Sequence, residues 1–259
     1  MPSRSEPTAL LSHLPRADGS ATYSHAGYTV TASVNGPIEA QRRDEDPYEA
    51  LVDVIVRPAA GVGGTRERHL ETILQSSLRQ LILVKNFPRG LVQIVLQVTA
   101  SPENDYVSTK LVQARLNLPI VPALLQAAVL ALLSAAIPLR TTATSTVVAV
   151  VAPAAGGHKS QLVVDPSPRE AEKARSLHVF AFTSSDRLLL AESEGPFTMQ
   201  EWADVHAKAQ EICCEPTKAP AVMLDHADND AAARSSPDMR QFIRSTVEAK
   251  VSADLHWKN

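Results

Sequence analysis

Cysteine is nearly missing from this chain: its 259 residues include two, Cys213 and Cys214, and they are neighbours. Adjacent cysteines close only a strained disulfide and match no zinc spacing, so a disulfide framework and a structural zinc site are both set aside. Two free thiols near a helix end suit a reducing compartment. An excess of one charge is lacking as well. Lys and Arg number 25 against 28 Asp and Glu, for a formal net charge of −3. The whole molecule is therefore no polyanion-coating basic protein, although a local basic groove is compatible with that balance. The opening MPSRSEPTAL has neither the basic nor the apolar region of a secretion signal. The longest apolar stretch, residues 118–139, is broken by Pro119, Pro122 and Pro138. A helix between the last two spans roughly 23 Å, short of the ~30 Å hydrocarbon layer. With Gln126 and Ser134 inside it, a buried core helix in a soluble protein is expected, with no membrane contact.

Local signatures of chemistry are scarce too. GVGGTRERHLE, residues 61–71, leads into a helix whose free N–H groups suit an anion. It is neither a nucleotide P-loop nor G-x-G-x-x-G, and a plain loop is the simpler reading. Arg66 and Arg68 match phosphate geometry, while their ordinary alternative is a solvated helix face paired with Glu67 and Glu71. The eight histidines show no ligand spacing, and His178 reads as a satisfied core residue within a strand. The run DHADND lacks the turn glycine and closing glutamate of a calcium loop. Neither Ser-His-Asp nor Cys-His chemistry has a local signature.

What is present is a regular alternation of strands and helices. Residues 21–23 and 28–35 form a hairpin around His25-Ala26-Gly27, and 50–57 continue as a strand ended by Pro58. A helix capped at Thr65 or the residue before it puts Leu70, Ile73, Leu74, Leu78, Leu81 and Ile82 on one face. Residues 91–98 (LVQIVLQV) read as a central strand, followed by a polar insertion over 101–117. After the buried helix come strands over 145–152 and 161–164, then a hairpin of 176–183 with 187–192. A capping box of Thr198 with Glu201 starts a helix over 198–214 whose inner stripe is Trp202, Val205, Ala209 and Ile212. A linker over 216–238 leads to an amphipathic helix over 239–257. The fold class is α+β, with mixed sheets packed on helices.

The stretch LPRADGSATYSHAGYTVTASVNGPIE, then ALVDVIVRP, RERHLE and PRGLVQIVLQV, resembles the RNase PH-like family. The likeness runs on through LVVDPSPREAEKARSLHVFAFTSSDRLLL and covers residues 10–215. It implies the RNase PH-like fold (ribosomal protein S5 domain 2-like), built from two βα halves. Within that family the chain looks like a non-catalytic ring subunit of the eukaryotic RNA exosome core. Active members follow the Q-V strand with Gly-Gly-Thr-Arg, whose Thr and Arg bind the attacking phosphate. Here Thr99-Ala100-Ser101-Pro102-Glu103-Asn104 follows instead. Active members also carry two aspartates six residues apart for metal and acid chemistry. Asp165 matches the first, but Ala171 stands at the second, flanked by Glu170 and Glu172.

Asp165 is thus a vestigial acid whose ordinary role is to cap the turn at residues 165–168. The resemblance implies no catalytic residue, no metal and no cofactor. It implies partners instead: other RNase PH-like ring subunits, S1/KH cap subunits, an associated hydrolytic nuclease, and RNA threaded through the ring. Arg66, Arg68 and Arg89 are candidates for contact with the RNA backbone, with a helical face or subunit interface as the alternative for each. The implied role is support of 3′-5′ RNA processing and degradation in nucleus, nucleolus and cytoplasm. Two rivals remain: an active phosphate-dependent exoribonuclease, and a protein scaffold that never touches RNA.

Overall fold

Strict alternation of buried and half-exposed residues builds the first sheet. The computed structural model describes residues 6–102, 117–151, 161–214 and 238–258. Strands β1 (Thr8–Leu11), β2 (Gly19–His25), β3 (Tyr28–Glu39), β4 (Leu51–Arg57) and β5 (Gly90–Ala100) join in the order β1-β2-β3-β5-β4. The β4–β5 pair is parallel, and the others are antiparallel. Val30, Ala32, Val34, Val52, Val54, Val56, Val92, Ile94 and Leu96 point to the packed face at every second position. Between β4 and β5 runs α1 (Thr65–Leu81), with Gly64 at its N-cap as the spacing requires. Its Leu70, Ile73, Leu74, Leu78 and Leu81 are all buried.

Helix α2 (Val121–Ser134) is the apolar segment of the sequence, and it lies between two sheets. On one side it meets β2 and β3, and on the other it meets β6 (Ala143–Val151). Both surroundings are apolar, which explains a helix hydrophobic on all sides. Among the described residues no helix is long and apolar enough to cross a membrane. Truncating a side chain such as Leu124 or Leu125, each fully buried, removes about 2–5 kcal/mol of stability. Gln126 is the polar exception. Its Nε2 donates to the Ala143 carbonyl at 3.4 Å, and its Oε1 has no partner among the described residues.

The second sheet has the order β7-β6-β8-β9, with β7 (Gln161–Val164), β8 (Ala174–Thr183) and β9 (Leu188–Glu194), all antiparallel. Its far face carries α4 (Met199–Cys214), so the layers run sheet, helices, sheet, helix. The Thr198–Glu201 capping box forms, with the carboxylate accepting from the Thr198 N–H at 2.8 Å. The inner stripe differs from expectation: Val205, Ala209 and Cys213 are buried, four residues apart, while Trp202 and Ile212 are half-buried on the flanks. Two elements are additional to the sequence reading. One is β1, short and exposed at Leu10. The other is α3 (Pro168–Lys173), whose N-cap Ser167 and Glu170 form a second capping box. Ser167 is the N-cap of α3, and Asp165, two residues ahead of it, adopts a left-handed conformation with φ 45°. The polar insertion and the linker fall almost wholly on residues 103–116 and 215–237, outside the described residues.

The C-terminal helix α5 (Met239–Asp254) docks on its own chain. Ile243 is buried in the main core, and Phe242 meets Tyr23 edge-on at 6.1 Å. Arg240 fixes the approach. One guanidinium nitrogen donates to the Thr183 carbonyl at 3.0 Å and to the Asp186 carboxylate at 2.7 Å, and another reaches the Cys214 carbonyl at 3.5 Å. The last contact also places a cation at the C-terminus of α4, where the helix dipole favours it.

Two buried groups generate tests. His178 is fully buried, with Nε2 3.0 Å from Ser176 Oγ and Nδ1 2.8 Å from Ser193 Oγ, so both ring nitrogens are satisfied. Burial lowers its pKa, and the nearby Glu201 charge opposes that shift only in part. Below the ordinary value of 6.5 the unfolded chain binds a proton that the native state refuses. The stability due to this residue is therefore full above that value and falls as the pH drops below it. Urea unfolding at stepwise lower pH should show that decline, and it should be smaller in His178→Gln. Burial also pushes the Cys213 thiol up to about 12, so it reacts slowly as a nucleophile. Native protein should give up Cys214 to a disulfide reagent at pH 8 well before Cys213, with the second equivalent appearing only on denaturation.

Candidate functional site

The two quoted opening motifs meet in space. Asp18 accepts the Gly36 N–H at 2.8 Å, and Ser20 Oγ accepts the Leu14 N–H at 3.0 Å. Gly19 brings β2 against the C-terminal turn of α2, where any Cβ would strike the backbone of Ala131 and Ala135. Gly36 has φ 139° and lies over the Leu91 carbonyl. These residue types are demanded by close approach of β2, β3 and α2, and they set the frame of the site rather than its chemistry.

The end of β5 is where the family resemblance places phosphate binding. Thr99 Oγ1 donates to the Thr29 carbonyl at 3.0 Å, so its hydroxyl is turned into the sheet. Ser101 and Pro102 follow, half-buried, and Pro102 sits over the β2–β3 turn at Gly27. None of these side chains carries a positive charge. Glu103 and Asn104 lie outside the described residues.

Asp165 follows β7, with its N–H donating to the Val147 carbonyl at 2.9 Å. It is near enough to Tyr23 and Cys213 that its charge adds to the upward pKa shift that burial imposes on both. Tyr23 in turn lies under the first turn of α5. Asp165 thus shares its surroundings with a buried phenol, a buried thiol and the docked helix. Glu170, beside Ala171, accepts from the Ser167 N–H at 2.9 Å and from Ser167 Oγ at 2.8 Å. Glu172 is exposed on α3. Among the described residues no three His, Cys, Asp or Glu side chains converge in a way that would hold a metal ion.

The three arginines do not form one patch. Arg66 and Arg68 open α1, which runs back along β4 so that Arg79 near its end pairs with Glu49 at 2.8 Å. That places roughly 20 Å of helix between Arg66 and Arg79. Arg89 belongs to the Arg79 end, for its N–H donates to the Asp46 carbonyl at 3.0 Å just ahead of β5. Arg89 and Arg68 are exposed, and Arg66 is half-buried. Glu67 accepts the Gly64 N–H at 2.6 Å, and Glu71 accepts the Val56 N–H at 2.9 Å. The first of these also fills the α1 N-terminus with the chain's own carboxylate, so the Gly-rich loop is not an open anion cradle. A different set of cations does converge: Arg79, Lys85, Arg140 and Arg187 surround one cavity. They come from distant points in the sequence, and no spacing rule could have joined them.

Comparison with known proteins gives this arrangement its context. Residues 8–138 match the 3′ exoribonuclease family, domain 1. The exosome complex component RRP46 of Saccharomyces cerevisiae is 31% identical, covering 78% of this chain and 87% of that protein. The crystal structure of rice (Oryza sativa) Rrp46 superposes with a TM-score of 0.65 at 21% identity, over 81% of this chain and 89% of that one. An archaeal exosome core chain gives a TM-score of 0.61 at 14% identity, over 81% and 83%. Sequence likeness over most of its length, and a shared fold beyond that, make this chain a member of the RNase PH family of 3′ exoribonucleases.

Proposed function

We propose that the chain is a non-catalytic subunit of the RNA exosome core ring, supporting 3′-5′ processing and degradation of RNA. The observation that carries the reading is the end of β5. There Thr99 is bonded to the Thr29 carbonyl, and none of the residues 99–104, which stand where the resemblance places the family's phosphate-binding segment, carries a positive charge. Phosphoryl transfer depends on positioning and charge stabilisation, and both need that anion site. Supporting it are Ala171 in place of the second acid, and Glu170 spent on a helix cap. The yeast relative is named as an exosome complex component, which agrees with a place in the ring.

Its partners in this reading are the other RNase PH-like ring subunits, S1/KH cap subunits, an associated hydrolytic nuclease and the threaded RNA. Cell compartments follow those of the complex: nucleus, nucleolus and cytoplasm. Arg66 and Arg68 at one end of β4, and Arg89 at the other, are then separate points of backbone contact rather than one site. The rival is an active phosphorolytic exonuclease, which the naming of a rice relative at 25% identity as an exosome complex exonuclease favours.

Light scattering after size-exclusion chromatography distinguishes the two. Mixed with the other ring subunits, the chain should enter a ring-sized particle, and alone it should release no nucleoside diphosphate from RNA in phosphate. Exclusion from the ring, or phosphate-dependent degradation by the isolated chain, defeats the proposal.

A further inference from the structure

The cavity ringed by Arg79, Lys85, Arg140 and Arg187 has a volume of about 720 Å³ and belongs to neither the β5 end nor Asp165. It lies where the two halves of the fold join. Ile82 bridges to Leu139 there, and the Arg140 N–H donates to the Leu81 carbonyl at 2.7 Å. Glu49 is the one acid among the described residues of its lining, and it is paired with Arg79. Lys85, Arg140 and Arg187 are exposed and have no carboxylate partner among the described residues. In a chain of net charge −3 this is a local concentration of positive charge.

The floor beneath those charges is apolar, made by Leu81, Leu83, Leu188 and Leu189 among others. Among the described residues no aromatic ring lines the cavity, so they offer no stacking platform for bases. Along one wall runs the start of β9, an edge strand paired with β8 on one side only. The opposite sheet handles its own edge differently. On β4 the Val56 N–H is taken by Glu71, and the Val52 carbonyl accepts from Gln75 Nε2 at 2.7 Å, so α1 side chains occupy that edge. Strand β9 has no such cover among the described residues, and Leu188 at its start is 45% exposed.

We infer that this cleft is a docking site for an extended, acidic segment of a partner protein that alternates carboxylates with aliphatic side chains. The segment lies along β9, as a strand added to the sheet edge, with its aliphatic side chains on the leucine floor and its carboxylates on Lys85, Arg140 and Arg187. Charge complementarity selects the occupant. A polyphosphate or an RNA backbone satisfies the cations but gains nothing from the floor, and a neutral apolar strand leaves the cations unpaired. The inference rests on the cleft alone and does not require the ring reading.

The test uses the full-length chain and a fluorescein-labelled peptide of alternating glutamate and leucine. An alternating lysine and leucine peptide and an oligouridine of similar length serve as comparisons. Anisotropy should show saturable binding of the acidic peptide below about 1 mM, and neither comparison should bind at the same site. The double variant Arg140→Glu/Arg187→Glu should weaken that binding at least about tenfold while its melting temperature stays within about 2 °C of the parent. Hydrogen exchange should slow at β9 amides on binding, which mere charge attraction would not cause.

Four outcomes overturn the proposal: no binding of the acidic peptide, binding indifferent to the double variant, no protection of β9, or oligouridine binding that depends on Arg140 and Arg187. A fifth is a dimer in light scattering that the double variant dissolves, for then the occupant is a second copy of this chain. Should the chain fail to join an exosome ring and still bind the peptide at β9, the functional reading falls and this inference stands.

Discussion

Everything in this molecule depends on α2 being apolar on every side. A helix that must meet β2 and β3 on one face and β6 on the other cannot carry a polar stripe, and that requirement ties the two sheets into one body. The close contact of Gly19 with its last turn is part of the same constraint, since β2 reaches α2 only if no side chain intervenes. The family's opening motif is therefore first of all a packing device. Among the described residues no Lys, Arg, Asp or Glu is buried in this centre, and the partly satisfied Gln126 is the polar side chain that α2 carries into it.

Catalytic chemistry and structural use compete for the same few side chains in this fold. Thr99, Glu67 and Glu170 each belong to residue types that a phosphorolytic site could employ, and each is bonded to its own backbone. A carboxylate that caps a helix keeps its charge close to two N–H groups and has little left to offer a metal or a proton. Around Asp165 the neighbours include a buried phenol and a buried thiol, and its charge adds to the upward pKa shift that burial imposes on both.

The fold was legible in the sequence wherever periodicity was strong. The period-2 runs of β3, β4 and β5, the stripe of α1 and the proline-bounded α2 all appear where their patterns place them. Strand β1 escaped because four residues with an exposed leucine carry too little pattern. Helix α3 escaped because six residues are too few to show a stripe, although Ser167, Pro168 and Glu170 spell its N-terminus. Cys213 replaced Ile212 in the α4 stripe because a thiol behaves as a small apolar side chain and suits the tight spacing against β6. The site was legible only in part. Missing residues at the end of β5 and at Ala171 could be read directly, but the cationic cleft joins α1, the segment before β6 and the β8–β9 turn. Its members are neighbours only after the two halves have folded together.

Arg240 reaches the carbonyl of Cys214 at 3.5 Å, so the first turn of α5 lies within one arginine side chain of the end of α4. The described ends on either side of residues 215–237 are therefore close together, and the number of residues between them is not set by a distance to be spanned. Evolution is free to lengthen, shorten or rewrite this stretch while α5 keeps its seat on Tyr23, which makes it the natural place for lineage-specific sequence and for an engineered insertion.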